Sequence, residues 1–322
     1  MLRLILSYLS FFVILFSAGF FYSDTESNTE NPTVEIEELV LSMNDSTLTY
    51  GYNLFTRTNL LIGPNVKDVT KRFTGNILQC STCHLNAGTK PFAMPLIGVT
   101  GRFPQYRGRE NQIGTITDRV NGCFERSMNG APMDSSQYEM KALLKYISWL
   151  DTVPRNDKDL IGKGLKAIEI PNRAVDLVKG EEVYKMYCTT CHQDDGEGMI
   201  VSASEKYIYP PLWGENSYNN GAGMTRVITA AQFIKYNMPN GISYKYPILT
   251  DEEAYDVAGY INQKIRPTKD NLESDFPDRL KKPVSTPYPP YFDSFPQSQH
   301  QLGPFQPIME YYKQNHNIEK TK

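Results

Sequence analysis

Two short strings carry the chemistry of this chain: Cys80-Ser81-Thr82-Cys83-His84 and Cys188-Thr189-Thr190-Cys191-His192. Both read C-x-x-C-H. That spacing suits covalent attachment of a c-type haem. Two cysteines form thioethers to the vinyl groups, and the adjacent histidine is held beneath the iron as proximal ligand. A single string of this kind also fits a zinc or disulfide loop. Two of them behind an export-like N-terminus point to two haems. The chain has five cysteines and four histidines. Once His84 and His192 are assigned, only His300 and His316 remain, both near the C-terminus. Cys123 is the one cysteine left over.

Each iron also has a distal position, and soft sulfur ligands suit it. In the second half the candidates are Met199, Met224 and Met238. Met199 follows His192 too closely to cross to the other haem face. Met238 precedes a capped helix, and spacing prefers it to Met224. In the first half Cys123 precedes its own capped helix at nearly the same interval, with Met94, Met128 and Met133 as rivals. The ordinary reading of a lone cysteine is a small buried hydrophobe. Here, however, residues 101–130 carry Arg102, Arg107, Arg109, Arg119 and Arg126 against Glu110, Asp118 and Glu125. A net positive stretch favours a thiolate.

Helices must position these groups. Thr115-x-x-Asp118 is a capping box that opens a helix through Met128. Ile116, Val120 and Phe124 form its apolar face, and Arg119, Cys123 and Ser127 the neighbouring stripe. A second box, Ser136-x-x-Glu139, predicts a helix to about Leu150, with Pro154 as its stop. Gly180 to Tyr187 reads as the helix that delivers the second haem string. Thr250-x-x-Glu253 opens another helix, stopped by Pro267. The halves repeat: one offset relates Ser136 to Thr250 and Tyr146-Ile147 to Tyr260-Ile261.

Around these elements the chain divides into segments. Arg3 and the uncharged run Leu4 to Tyr22 read as a signal peptide or N-terminal anchor (1–22). The run is longer than the ~7–15 residues of a usual signal core and close to the ~20 of a spanning helix. Either way the body lies outside the inner membrane, where c-type haem is attached. Residues 23–35 read as a polar linker. A first haem domain is expected over 36–165 and a second over 170–270. Residues 271–322, with eight prolines, predict an extended tail of little regular structure. The formal net charge of −3 argues against a nucleic-acid partner.

The string DRVNGCFERSMNG (Asp118 to Gly130), placed after GNILQCSTCHLNAG, resembles the tetrathionate-forming thiosulfate dehydrogenases. These are periplasmic dihaem cytochromes c with a cysteine-ligated haem. The resemblance spans roughly residues 36–270 and implies an all-α fold of two cytochrome c-like haem domains in tandem. It implies that His84 and Cys123 bind the active-site haem, with Arg109, Arg119 and Ser127 near the substrate. It implies that His192 and Met238 bind an electron-transfer haem. Some members carry a lysine before that methionine, which competes for the iron. This chain has Asn237 there, so such switching is not expected. Guanidinium forks suit the oxygens of thiosulfate and tetrathionate. The implied activity is oxidative coupling of two thiosulfates to tetrathionate, or the reverse, with electrons passed to a periplasmic partner such as a cytochrome c. The alternatives are a plain dihaem electron carrier, with methionine on both irons, and a dihaem peroxidase, with one open iron.

Overall fold

The computed structural model describes residues 32–153, 162–201 and 206–322. The export segment 1–22, most of the linker and Pro154 lie outside them. No helix of the described residues is long and apolar enough to cross a membrane. The first helix, α1 (Pro32–Ser42), begins inside the stretch expected as linker. Its Ile36 and Val40, one turn apart, are both buried in the first core. Their burial overrides the acidic, polar composition around them.

The first domain continues with α2 (Ser46–Thr56) and α3 (Thr58–Ile62). Two short turns follow, α4 (Cys80–Cys83) and α5 (Leu85–Gly88), then α6 (Ile116–Arg126) and α7 (Tyr138–Trp149). The second domain holds α8 (Leu177–Tyr187), the short α9 (Thr189–His192), α10 (Val227–Asn237) and α11 (Asp251–Asn262). Two antiparallel hairpins interrupt the helices: β1 (Gln105–Arg107) with β2 (Gln112–Gly114), and β3 (Met199–Val201) with β4 (Lys206–Tyr209).

The internal repeat has a physical cause. In the first domain α2 crosses α7 so closely that a Cβ on Gly51 would stand 2.0 Å from the Ala142 carbonyl oxygen and 3.0 Å from Tyr146 Cβ. In the second, α8 crosses α11 at Gly180, where a Cβ would stand 2.3 Å from the Asp256 carbonyl oxygen and 2.9 Å from Tyr260 Cβ. The repeated tyrosines are thus the residues packed against the crossing glycine. Each crossing anchors one hydrophobic core.

Two of the three capping boxes form. Thr115 and Asp118 exchange bonds at the start of α6, and Thr250 and Glu253 do so at α11. The box expected at Ser136 and Glu139 does not. The N-cap of α7 is Gln137, and no side chain caps it. Glu139 instead pairs with Lys71 at 2.9 Å. The Ser136 N–H donates to Asp134 Oδ1 at 2.7 Å.

The tail also departs from expectation. It holds two helices, α12 (Gln297–Leu302) and α13 (Gln306–His316). Phe305, Ile308 and Tyr312 are buried in the second core. Burial of side chains this size contributes roughly 1.5–3 kcal/mol each. The Leu302 carbonyl accepts from the Val175 N–H at 2.8 Å and from the Tyr255 hydroxyl at 3.2 Å. Residues 277–296, rich in proline, hold only a short 3-10 turn at Arg279–Lys281 and no longer helix, but Pro307 at the first turn of α13 is compatible with a helix.

The two domains meet at the end of α6. Its terminal carbonyls have no partners within the helix. Asn219 of the second domain supplies them: its Nδ2 donates to the Glu125 carbonyl at 2.8 Å and its N–H to the Arg126 carbonyl at 3.1 Å. Asn76 Nδ2 bonds the Ser127 and Ser217 carbonyls, both at 3.1 Å. The helix carrying Cys123 is therefore held at one end by its own capping box and at the other by the second domain.

Candidate active site

Two adjoining cavities meet at Cys123. The first, of about 270 Å³, has mostly apolar walls that include Phe55, Leu78, Val120 and Ile147. Cys80, Cys83, His84 and Cys123 also line it. The second, of about 390 Å³, opens between the domains and is lined by Arg107, Arg109, Arg119, Arg126 and Arg226. Cys83, His84, Cys123, Arg119 and Ser127 border both.

The local sequence explains this placement. His84 follows the turn of α4, and its Nδ1 is fixed by the Met94 carbonyl at 2.6 Å. The other ring nitrogen remains for the cavity. Residues 119, 123 and 127 stack one turn apart at the end of α6. Arg119 Nη1 donates to Cys123 Sγ at 2.9 Å. Burial raises the Cys123 thiol, but the Arg119 charge and hydrogen bonds from His84 and Arg119 outweigh it and hold the group at about 6. Burial pushes Cys80 and Cys83 up to about 12. Of the three cysteines that line this cavity, only Cys123 is held as an anion.

The cationic cavity is unevenly neutralised. Glu110 takes Arg107 through two bonds of 2.8 Å. Asp275, from the C-terminal segment, takes Arg126 through bonds of 2.9 and 2.6 Å. It also accepts from the Tyr288 hydroxyl at 2.6 Å and lies 3.8 Å from Arg109 Nε. Arg109 is further tied by its carbonyl to the Phe276 N–H at 2.7 Å. Arg119 faces the Cys123 sulfur. Arg226, from the second domain, meets no carboxylate among the described residues.

Around the second string, His192 is buried and its Nδ1 bonds the Pro210 carbonyl at 2.7 Å. Burial, opposed by that carbonyl, lowers its pKa and keeps the imidazole neutral, as an iron ligand requires. Cys188, Met224 and Met238 pack against the second core. Met224 also borders the cationic cavity. Met238 caps the end of α10. Asn237 is fully buried and bridges to the first domain, donating to the Phe92 carbonyl at 3.1 Å.

Both strings fit a covalently bound haem. At each, the histidine has one nitrogen fixed by a backbone carbonyl, and the paired cysteines carry no disulfide. The first string also opens on a largely apolar cavity that Cys123 lines as well.

Comparison with known proteins agrees. Residues 177–264 match the cytochrome c family model. Residues 72–150 match the model described as SoxA/TsdA, cytochrome c domain. Thiosulfate dehydrogenase of Allochromatium vinosum is 41% identical over 199 residues, covering 61% of this chain and 72% of that protein. Its counterpart in Psychrobacter arcticus is 32% identical over 254 residues, covering 79% and 75%. The chain belongs to the thiosulfate dehydrogenase family. It carries two covalently bound haems c in tandem cytochrome c domains. A third family member, from Stutzerimonas stutzeri, is 39% identical over 200 residues, and the match spans 64% of its length. Among solved structures, thiosulfate dehydrogenase (TsdBA) from Marichromatium purpuratum superposes with a TM-score of 0.61 at 35% identity, covering 76% of this chain and 48% of that one. This chain thus spans about half of that solved chain.

The structure gathers Cys80, Cys83, His84, Cys123, Arg119 and Ser127 about one pair of cavities, with Arg109 farther out against the tail. Sequence reasoning missed Arg226, Thr229 and Asp275. None lies in a periodic stripe with Cys123, and each arrives from a distant segment.

Proposed function

We propose that this chain is a periplasmic thiosulfate dehydrogenase. It joins two thiosulfates into tetrathionate and runs the reverse reduction at the same site. The observation that carries this reading is the 2.9 Å bond from Arg119 Nη1 to Cys123 Sγ where the apolar and cationic cavities meet. His84 and Cys123 would hold the first haem iron, and His192 and Met238 the second. Met238 is preferred because Met224 borders the cationic cavity. When bound, the two haems together supply acceptors for the two electrons of the coupling.

The chain's own residues do the rest. Arg119 keeps Cys123 a thiolate, and a thiolate is the nucleophilic form of cysteine. Arg109 and Arg119 pair with the sulfonate oxygens of thiosulfate, and the Ser127 hydroxyl donates a further bond. In the first half-reaction the Cys123 sulfur forms a bond to the sulfane sulfur of one thiosulfate. Two electrons leave, and the product is Cys123–S–S–SO3⁻. In the second, the sulfane sulfur of another thiosulfate attacks that adduct. The bond to Cys123 breaks, tetrathionate departs and the thiolate is restored. No proton or further oxidant enters either half. A plain electron carrier has no use for the arginine-lined cavity, and a peroxidase has none for a thiolate held this way.

The test is thiosulfate oxidation with ferricyanide, with tetrathionate measured as product. Cys123→Ala should retain both covalent haems and lose turnover by about 10³-fold or more. Undiminished turnover in that variant would remove Cys123 from the reaction.

A further inference from the structure

Joining two dianions in one cavity requires a separate place for each sulfonate. Arg119 and Ser127 provide one beside Cys123. The wall contributed by the second domain holds groups with no other employment. Arg226 is the N-cap of α10, and no side chain caps that helix. The first N–H groups of α10 therefore have no side-chain acceptor, and they present the positive end of the helix. Thr229, in the first turn, lines the cavity and is only 7% exposed, yet its Oγ1 finds no hydrogen-bond partner among the described residues. A buried hydroxyl without a partner is costly. Arg226 donates through Nε to the Gly223 carbonyl at 3.3 Å and meets no carboxylate among the described residues. Burial first, then the charges of Arg109 and Arg119, pull its pKa down to about 10 against the opposing Tyr288 hydroxyl. The Lys322 amine also lies near enough to feel the Arg226 charge. A guanidinium among cations, with a buried hydroxyl and a helix N-terminus on the same wall, suits an anion.

We propose that Arg226, the Thr229 hydroxyl and the first turn of α10 form a second sulfonate subsite. It lines the same cavity as Cys123 and takes the sulfonate of the second thiosulfate, or equally the distal sulfonate of tetrathionate. The inference rests on the coupling reaction proposed above. In the second half-reaction the attacking sulfane sulfur must point at the Cys123 adduct, so its own sulfonate points away. Arg226 and Thr229 hold that sulfonate and screen its repulsion from the first. The step forms one sulfur–sulfur bond and breaks another with no net electron transfer. The second domain thereby completes the active site as well as carrying the second haem.

Two unreactive probes test this on the holoenzyme: 1,2-ethanedisulfonate, which has two sulfonates, and methanesulfonate, which has one. Each is assayed as an inhibitor of thiosulfate oxidation in the unaltered enzyme and in Arg226→Gln, Arg226→Lys and Thr229→Val. Haem content and the midpoint potentials of both haems are measured alongside. The disulfonate should inhibit the unaltered enzyme about tenfold or more better than the monosulfonate. Arg226→Gln should erase that preference and raise half-saturating thiosulfate about tenfold, with both haems and both potentials intact. Arg226→Lys should recover part of the loss, and Thr229→Val should shift the preference in the same direction by less. Haem reduction by a single equivalent of thiosulfate, which needs only the first subsite, should persist in all three. An unchanged disulfonate preference in Arg226→Gln and Thr229→Val would overturn the proposal. So would loss of a haem, or a shifted potential with unchanged half-saturation, which would make Arg226 a propionate partner. Absence of thiosulfate turnover in the unaltered enzyme would instead sink the underlying reaction, and this subsite with it.

Discussion

At the scale of single residues, Cys123 is defined by what surrounds it. Cys80 and Cys83 sit in the same cavity and serve haem attachment, while Arg119 and His84 hold Cys123 as an anion. Arg119→Gln should therefore lower thiosulfate turnover about 10²-fold with haem content near normal. A haem assay beside the ferricyanide assay checks both. Loss of haem or solubility would show a structural role instead. At the second iron, Met238→Ala should abolish a sulfur–iron charge-transfer band and lower that haem's potential. If Met224→Ala does this and Met238→Ala does not, the ligand is Met224. The residues gathered about the two cavities at α4 and α6 were legible in the sequence because their spacing is local. C-x-x-C-H is contiguous, and 119, 123 and 127 share one helix stripe. Arg226, Thr229 and Asp275 were not, because no spacing relates them to Cys123. Only the packing of domain on domain and of tail on domain brings them there.

At the scale of elements, the sequence gives helix existence more readily than helix ends. All three predicted capping-box helices are present. At α7 the box lost to a stronger local partner: Glu139 is buried against Lys71, so its carboxylate is not free to reach back to residue 136. The contrast is measurable by chemical denaturation. Thr250→Ala should cost about 1 kcal/mol and Ser136→Ala close to none. The offset between Tyr146 and Tyr260 was visible as a repeat, but its cause was not. It marks the two close helix crossings at Gly51 and Gly180. Gly180→Ala should destabilise the second domain by about 1–3 kcal/mol, because the added Cβ meets backbone that cannot swing aside. Unaltered thermal stability in that variant would mean α8 shifts freely on α11. The tail was misread for a compositional reason. Its prolines suggested extended chain, yet short 3-10 turns stand at Leu272–Ser274 and Arg279–Lys281, and the prolines concealed the apolar spacing of Phe305, Ile308 and Tyr312.

At the scale of the molecule, the second domain and the tail together shape the site carried by the first. Asn219 caps the helix of Cys123, and Asp275 neutralises Arg126 and partly Arg109 while Tyr288 steadies it. Asp275→Ala would leave the buried Arg126 guanidinium without its carboxylate, at a cost of about 3–5 kcal/mol. Limited proteolysis should then cut within 272–291 faster than in the unaltered protein, and equal resistance would show that the clasp is held by other contacts. What this architecture protects is one sulfur at the junction of two cavities. The most direct measurement exposes the holoenzyme to tetrathionate without an electron donor and weighs the peptide that contains Cys123. One thiosulfate should be found joined to Cys123 by a sulfur–sulfur bond, with one free thiosulfate released per adduct. Added thiosulfate should then clear the adduct and regenerate tetrathionate. An unmodified Cys123 in enzyme that turns over normally would contradict the proposed adduct.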